Sequence, residues 1–143
     1  MLRKFFILTI LSLVLHSCES DYARVNNPFV PTYSFGFTID MQLPMYSSLN
    51  YPSNAVLVTL VGAGANGVIV FNTGAGYRAY EANCPNQYAS SCSQLQINGI
   101  RAVCPCDELE YSLYTGLPVT EGDYAMIPYR VELRGGSQLY ISN

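Results

Sequence analysis

Histidine and lysine are almost absent from this sequence, which contains one of each, His16 and Lys4. Charged residues are also scarce at 12%, compared with roughly 25% in an average globular protein. Half of the residues are hydrophobic, which is typical of a folded chain and excludes a disordered one. Arg3 and Lys4 form the one basic pair, whereas nucleic-acid binding needs a larger basic patch. The composition therefore predicts one compact domain and argues against nucleic acid as a partner.

The N-terminus predicts a targeting segment over residues 1–17. A basic pair precedes a mostly apolar run of about 11 residues, which is too short to cross a bilayer as a helix. The run ends in Leu-His-Ser-Cys at 15–18, which resembles the lipobox of bacterial lipoproteins, whose cysteine is lipidated and becomes the first mature residue. The resemblance implies that Cys18 anchors the protein to a membrane. An ordinary signal peptide that happens to contain a cysteine is the alternative.

The residue after Cys18 bears on which membrane of the bacterial cell envelope holds the anchor. Glu19 is not the aspartate that is the familiar signal for retention in the inner membrane. The resemblance to lipoproteins therefore favours the outer membrane.

Removal of the signal would change the chemistry open to the mature chain. His16, Lys4 and Arg3 would leave with it, so five arginines would face ten acidic residues, a formal charge of −5. A chain without histidine lacks the usual general base near neutral pH, every histidine-paired nucleophile and the commonest metal ligand. Most hydrolase mechanisms are thereby excluded, and we predict that the protein is not an enzyme.

The rest of the chain predicts strands and no helix. Residues 19–32 are polar, contain two prolines and show no periodicity, so 18–32 is predicted to be a lipidated tether. From Tyr33, apolar and polar residues alternate as in a half-buried strand. Gly or Pro then interrupts every few residues, which predicts a single all-β domain over 33–143, an antiparallel sandwich or barrel. Further strands are predicted at 55–61, 67–71, 77–82, 100–103, 129–134 and 138–142.

Residues 62–67 match the dinucleotide-binding pattern G-x-G-x-x-G and follow a predicted strand. In that pattern the third glycine opens a helix whose N-terminus meets the pyrophosphate. Here Gly67 is followed by Val-Ile-Val-Phe, which is typical of a strand. The motif is therefore predicted to be a turn between two strands.

The mature domain keeps four cysteines, Cys84, Cys92, Cys104 and Cys106. An even number in an exported protein, and so in an oxidising compartment, predicts disulfides. A zinc site built from all four is an alternative, although the spacing lacks paired C-x-x-C knuckles.

A redox-active dithiol at Cys104 and Cys106 is a second alternative to structural disulfides. Asp107, Glu108 and Glu110 lie beside it and would raise the pKa of its thiols, which opposes that chemistry. The three acids are also a candidate cation site, although exposed acids on a loop are usually just solvated.

The cysteine segments resemble the two cluster loops of the Rieske iron–sulfur domain, which read C-x-H and C-x-x-H about 15 to 17 residues apart. Here Cys84-Pro-Asn86 is followed, after 17 residues, by Cys104-Pro-Cys-Asp107. An aromatic residue, Tyr111, and a Thr-Gly pair at 115–116 then follow, as in the family. The resemblance covers about 55–143 and implies a Rieske-like antiparallel fold with two cysteine-bearing loops.

The departures from the family concern the cluster ligands. A Rieske centre holds one iron by two cysteines and the other by two histidines. By the resemblance, Cys84 and Cys104 stand at the cysteine positions, but Asn86 and Asp107 stand at the histidine positions. The Gly-Ser that follows the second histidine in the family is Glu-Leu at 108–109 here. The resemblance therefore implies a degenerate site with no metal and no cofactor, an atypical [2Fe-2S] centre being the alternative.

The resemblance also implies how the cysteines pair. The family's two ligand cysteines converge on one iron, and some members have a disulfide that joins the two loops. Without iron, Cys84 would therefore bond to Cys104 and leave Cys92 for Cys106. The pairing of Cys84 with Cys106 and of Cys92 with Cys104 stays open, whereas a bond from Cys104 to Cys106 would close a strained ring.

We therefore predict a lipid-anchored protein of the bacterial cell envelope whose cluster-less, disulfide-linked domain is a binding or structural module for an envelope protein. An electron-transfer protein with an atypical [2Fe-2S] centre is the alternative function. Tyrosine is abundant, with 12 in the chain. Tyr88, Tyr111 and Tyr114 lie near the cysteine segments and are candidates for contact with a partner.

Overall fold

The computed structural model describes residues 27–143, which form nine β-strands and one short 3₁₀ helix at Ser47–Asn50. The predicted signal peptide, Cys18 and the first part of the predicted tether lie outside the described residues. Within 27–143, no helix is long and apolar enough to span a bilayer. The prediction of an all-β fold is confirmed. The strands are β1 (Gly36–Asp40), β2 (Ala55–Val58), β3 (Val68–Asn72), β4 (Tyr77–Glu81), β5 (Gln96–Asn98), β6 (Arg101–Val103), β7 (Glu110–Ser112), β8 (Pro128–Arg134) and β9 (Gln138–Ser142).

Six strands form the larger sheet, in the order β1-β9-β8-β4-β3-β2, and every neighbouring pair is antiparallel. Strand β8 links its two halves, because Tyr129 at its start pairs with Ala79 of β4 while Arg130 to Arg134 pair with β9. The first and last strands also meet, with Gly36 opposite Ser142.

The smaller sheet is antiparallel, in the order β5-β6-β7. Gln96, the first residue of β5, lies opposite Val103, the last residue of β6. The loop that enters β5 therefore meets the loop that leaves β6, and these two loops carry the cysteines.

Strand β3 is buried on both faces, which explains its unbroken apolar sequence. Val68 and Val70 pack in a core with β1 and β9, while Ile69 and Phe71 face a second core below the smaller sheet. Cys84 and Cys104 belong to this second core. The cysteine loops are therefore rooted in apolar packing on the side of the larger sheet that faces the smaller one.

The predicted strands coincide with observed ones, apart from their ends. Strand β2 stops at Val58, and Leu60 and Val61 are exposed in the turn that follows. The G-x-G-x-x-G segment is a turn between β2 and β3, as predicted. The sequence did not predict β5 or β7, which have three residues each, whereas β6 is equally short and was predicted at 100–103.

The segment before β1 packs against the domain, although residues up to 32 were predicted to be a tether. Val30 is 4% exposed, and Asn27 Nδ2 donates a hydrogen bond of 2.7 Å to the carbonyl oxygen of Pro85. Apolar burial and this hydrogen bond hold residues 27–30 in place. Residues 27–30 therefore contact the domain, within the stretch that was predicted to be a tether.

Candidate functional site

Two disulfides join the two cysteine loops. The first loop runs from β4 to β5 and contains Cys84 and Cys92, and the second runs from β6 to β7 and contains Cys104 and Cys106. Cys84 is bonded to Cys104 and Cys92 to Cys106, with Cα–Cα distances of 5.6 Å and 5.2 Å. This is the pairing that the sequence resemblance implied.

The alternatives that need free or differently paired thiols do not fit this arrangement. A four-cysteine zinc site needs converging thiolates, whereas all four sulfurs are bonded in pairs. A dithiol couple at Cys104 and Cys106 would need those two sulfurs to bond to each other, but each is bonded to the first loop. The predicted presence of disulfides is confirmed, and the pairing of Cys84 with Cys106 is not formed.

Asn86, at one of the two positions that the resemblance assigns to a histidine ligand, is turned inward. Its Nδ2 donates a hydrogen bond of 2.8 Å to the hydroxyl oxygen of Tyr111, which is fully buried. Burial raises the pKa of Tyr111 to about 12, and the nearby charge of Asp107 adds to the rise while the Asn86 hydrogen bond opposes it. Asn86 therefore satisfies the polar end of a buried tyrosine.

Asp107, at the other assigned position, holds the two loops together. Its Oδ2 accepts a hydrogen bond of 2.9 Å from Gln87 Nε2 in the first loop, and its Oδ1 accepts one of 3.1 Å from the backbone N–H of Leu109. The carboxylate is therefore the centre of a link between loops.

The predicted acidic cluster does not form a cation site. Glu110 pairs with Arg101 across the smaller sheet at 2.5 Å, Asp107 is engaged as described, and Glu108 is exposed. Among residues 27–143, no group of three or more His, Cys, Asp or Glu side chains is arranged to hold a metal ion.

The residues present do not fit the [2Fe-2S] centre of the Rieske family, which was the alternative prediction. Such a centre needs four donors, two thiolates and two imidazoles. Here an amide and a carboxylate replace the imidazoles, and both are already hydrogen-bonded to Tyr111 and Gln87. The two sulfurs that would bind the first iron are bonded to each other in the core, between Cys84 and Cys104.

Backbone N–H groups of the glycine-rich turn at 62–67 donate hydrogen bonds to the side chain of Glu81. Glu81, at the end of β4, is 1% exposed, and its carboxylate accepts hydrogen bonds from the backbone N–H groups of Ala65 (2.8 Å), Asn66 (3.1 Å) and Asn83 (2.9 Å). It also accepts one of 2.7 Å from the hydroxyl of Tyr129, whose pKa is raised by burial and by this carboxylate. The turn therefore packs against Glu81.

Gly64 explains why this turn needs glycine. Its φ is +71°, and a Cβ there would lie 2.5 Å from Oε2 of Glu81. Any larger residue would push the carboxylate out of the turn.

Asn83 connects this anion site to the first cysteine loop. Its Oδ1 accepts hydrogen bonds from Asn66 Nδ2 (2.7 Å) and Ser93 Oγ (2.9 Å). Its Nδ2 donates to the carbonyl oxygens of Cys84 (2.9 Å) and Gln87 (2.8 Å). Since Asn83 and Ser93 are buried, this network fixes the backbone on both sides of the loop that contains Cys84.

Three aromatic side chains, which include Tyr88 of the first cysteine loop, pack together at that loop. Phe29 makes edge-to-face contacts with Tyr88 and Tyr124, at ring-centroid distances of 5.0 Å and 5.7 Å. Pro85, in the first cysteine loop, is buried. Tyr88 is still 67% exposed, so this group presents an aromatic ring to the outside. We call Phe29, Tyr88 and Tyr124 the aromatic cover.

The other two tyrosines that the sequence singled out have structural contacts. Tyr111 is fully buried beneath Asn86. Tyr114 packs edge-on against Phe71 at 4.9 Å and its hydroxyl lies 2.7 Å from Ser53 Oγ. Of the three candidates, Tyr88 alone is an exposed side chain.

Sequence reasoning missed Glu81 and Phe29. The sequence did contain a signal for Glu81: it shares one face of β4 with Tyr77 and Ala79, so the period of two places a carboxylate among inward-facing residues. No local pattern marked Phe29, because its contacts are with residues distant in sequence.

Neither a protein-family model nor a curated protein sequence matches the chain. A chain from the complex of reduced oxygenase and oxidized ferredoxin in carbazole 1,9a-dioxygenase is 25% identical with a TM-score of 0.47, over 64% of this chain and 82% of that one. The ferredoxin of carbazole 1,9a-dioxygenase from Nocardioides aromaticivorans IC177 is 16% identical with a TM-score of 0.49, over 77% and 97%.

Proposed function

We propose that this protein is a membrane-anchored extracytoplasmic lipoprotein whose Rieske-like domain works without an iron–sulfur cluster, as a binding or structural module of the bacterial cell envelope. Cys18 would carry the lipid, and the outer membrane is the favoured location. The partner would be another envelope protein.

The proposal depends on one observation, the hydrogen bonds made by the side chains at the two positions that the resemblance assigns to histidine ligands. Asn86 is committed to Tyr111, and Asp107 is committed to Gln87 and the Leu109 N–H. Both side chains act as structural links, and the Cys84–Cys104 bond closes the position of the first iron. Two loops cross-linked in this way keep the surface around them in a fixed shape. The aromatic cover is the part of that surface that would bind the partner.

The alternative is an electron-transfer protein with an atypical [2Fe-2S] centre. It would require the inner disulfide to open and two oxygen or amide donors to replace imidazole. Iron content separates the two functions.

The iron experiment uses the chain purified anaerobically from cells supplied with iron and sulfide. We expect a colourless protein without stoichiometric iron or acid-labile sulfide, because the donor set lacks both imidazoles. The matched control is the double variant Asn86→His/Asp107→His, kept reduced, which restores the family's donor set and should bind more iron than the natural chain. Two irons per chain with visible absorption in the natural protein would overturn the proposal and establish the alternative.

The anchor is tested by Cys18→Ala. Because the lipid would be attached to that sulfur, the variant should leave the membrane fraction or remain unprocessed. Unchanged processing and fractionation would contradict the lipoprotein part of the proposal.

The binding role is tested by capture from envelope extracts with two matched variants. Tyr88→Ala removes the exposed ring of the aromatic cover, and Tyr51→Ala removes a ring of equal exposure, 68% against 67%, from another part of the surface. We expect the natural chain and Tyr51→Ala to retain the same envelope protein and Tyr88→Ala to lose it. Equal capture by all three would show that the aromatic cover is not the binding surface.

A further inference from the structure

We propose that the Cys92–Cys106 disulfide is a thiol–disulfide exchange site, which a protein dithiol reduces and the disulfide form of the same partner reoxidises, while the Cys84–Cys104 disulfide stays closed. The site rests on three features of the cysteine loops: the different burial of the two bonds, the hydroxyl of Ser90, and a frame that survives opening of the outer bond.

The two disulfides differ in their access to solvent. Cys84 and Cys104 are both 0% exposed and belong to the second core. Cys92 is exposed, and Cys106 is half-buried. Exchange requires a thiolate to approach a sulfur of the disulfide, so access decides which bond reacts. An external thiolate can reach the outer bond in the folded protein, whereas the inner bond needs local unfolding.

Ser90 is positioned against the outer bond. Its Oγ lies 3.5 Å from Cys92 Sγ and 3.8 Å from Cys106 Sγ, and since a disulfide sulfur has no proton, the hydroxyl is the donor. Ser90 is itself held in place, because its N–H donates to Ser93 Oγ at 2.8 Å and Ser93 is fully buried. The hydroxyl is therefore ready to donate to a sulfur that becomes a thiolate.

The two loops remain joined when the outer bond opens. The inner disulfide and the Gln87–Asp107 hydrogen bond connect the same loops. The backbone N–H of Cys84 also donates to the Ser93 carbonyl oxygen at 2.7 Å, which closes the base of the first loop beside Cys92. The freed thiols would stay adjacent, so the disulfide form of the partner can oxidise them back to the bond without refolding of the chain.

A thiolate of the partner dithiol attacks Cys92 Sγ, the Cys92–Cys106 bond breaks, and Cys106 leaves as a thiolate to which Ser90 donates. The second partner thiol, as its thiolate, then attacks the partner sulfur of the mixed disulfide and releases Cys92. The partner loses two electrons and two protons and becomes a disulfide, and Cys92 and Cys106 gain them as two thiols.

The experiment treats the folded chain with graded concentrations of dithiothreitol, quenches with acid, alkylates the free thiols and maps the labelled peptides. We expect labels at Cys92 and Cys106 at a rate at least about tenfold above that at Cys84 and Cys104, since only the outer bond is accessible without unfolding. Adding denaturant should abolish the difference. Equal rates in the folded protein, or earlier labelling of Cys84 and Cys104, would overturn the proposal.

A pair of serine variants tests the hydroxyl. Ser90→Ala removes the donor and should slow reduction of the outer bond by about tenfold, the effect of one hydrogen bond to a charged group. Ser91→Ala, at the exposed position next to it, is the matched control and should react like the natural chain. Equal rates for the two variants would overturn the role of Ser90, and unchanged circular dichroism would show that both have folded.

Discussion

The side-chain amide of Asn86 donates to the hydroxyl of Tyr111 at 2.8 Å, and this bond ties the first cysteine loop to the second core. The sequence resemblance assigns this position to a histidine ligand of an iron–sulfur cluster. The amide instead supports a phenol that burial keeps protonated, with its pKa raised to about 12. The loop is therefore bonded to a phenol whose ionisation is opposed by burial.

The first prediction concerns alkaline pH. The phenol of Tyr111 loses its proton near pH 10.0 in the unfolded chain but near 12 in the folded one, so the unfolded state binds fewer protons between those values. The free energy of unfolding should therefore be unaffected by this group below pH 10 and fall as the pH rises toward 12. Urea unfolding at several pH values measures the slope. Tyr111→Phe should make the slope shallower, with the exposed Tyr88→Phe as control, and identical slopes would refute the assignment.

The second prediction concerns Glu81. Glu81→Gln keeps the shape of the side chain but places an N–H₂ group against donors that now point at a carboxylate, Ala65 N–H and the Tyr129 hydroxyl among them. Loss of these bonds in a buried site should lower the free energy of unfolding by about 2 to 3 kcal/mol. The control is Glu132→Gln, which breaks an exposed pair with Arg134 and should cost less than about 0.5 kcal/mol. A similar cost for both variants would contradict the account of the turn.

The third prediction compares the disulfides by mutation. Cys92→Ser/Cys106→Ser opens a link of sequence separation 14 at the surface and should cost about 2 to 3 kcal/mol of unfolding free energy. Cys84→Ala/Cys104→Ala opens a link of separation 20 and also removes packed sulfur from the core, so about 3 to 5 kcal/mol is expected. Denaturant unfolding measures both. If loss of the outer bond lowered the free energy of unfolding more than loss of the inner bond, the inner bond would not be the more stabilising of the two.

The fourth prediction concerns the segment before β1. Phe29→Ala removes the ring between Tyr88 and Tyr124 and should lower the free energy of unfolding by about 1 to 2 kcal/mol. Thr32→Ala changes an exposed residue of the same segment and should have no measurable effect. If Phe29→Ala were equally silent, the segment would not be part of the folded unit.

The sequence predicted every strand of five or more residues, because alternation or an unbroken apolar run is visible over that length. Both ends of the strand at 138–142 were predicted correctly. The ends of the strands predicted at 77–82 and 67–71 lie within one residue of the observed ends. The resemblance supplied the two loops and the cysteine pairing. Neither came from periodicity, since loops have none.

What the sequence did not predict depends on contacts between distant residues. Phe29 meets Tyr88 and Tyr124, which are 59 and 95 positions away, so no window of sequence contains the interaction. The inward turn of Asn86 depends likewise on Tyr111, at a separation of 25. By the resemblance, the residue types at 86 and 107 predicted a site without cluster ligands, whereas the packing shows which groups these two side chains contact.

The pairing of β1 with β9 has a consequence for the time at which the domain can fold. Phe37 of β1 lies opposite Ile141 of β9. The first strand to be synthesised therefore pairs with the last one. A nascent chain on the ribosome lacks this partner until nearly all of the domain has been synthesised. The contacts that complete the larger sheet therefore cannot form early in synthesis.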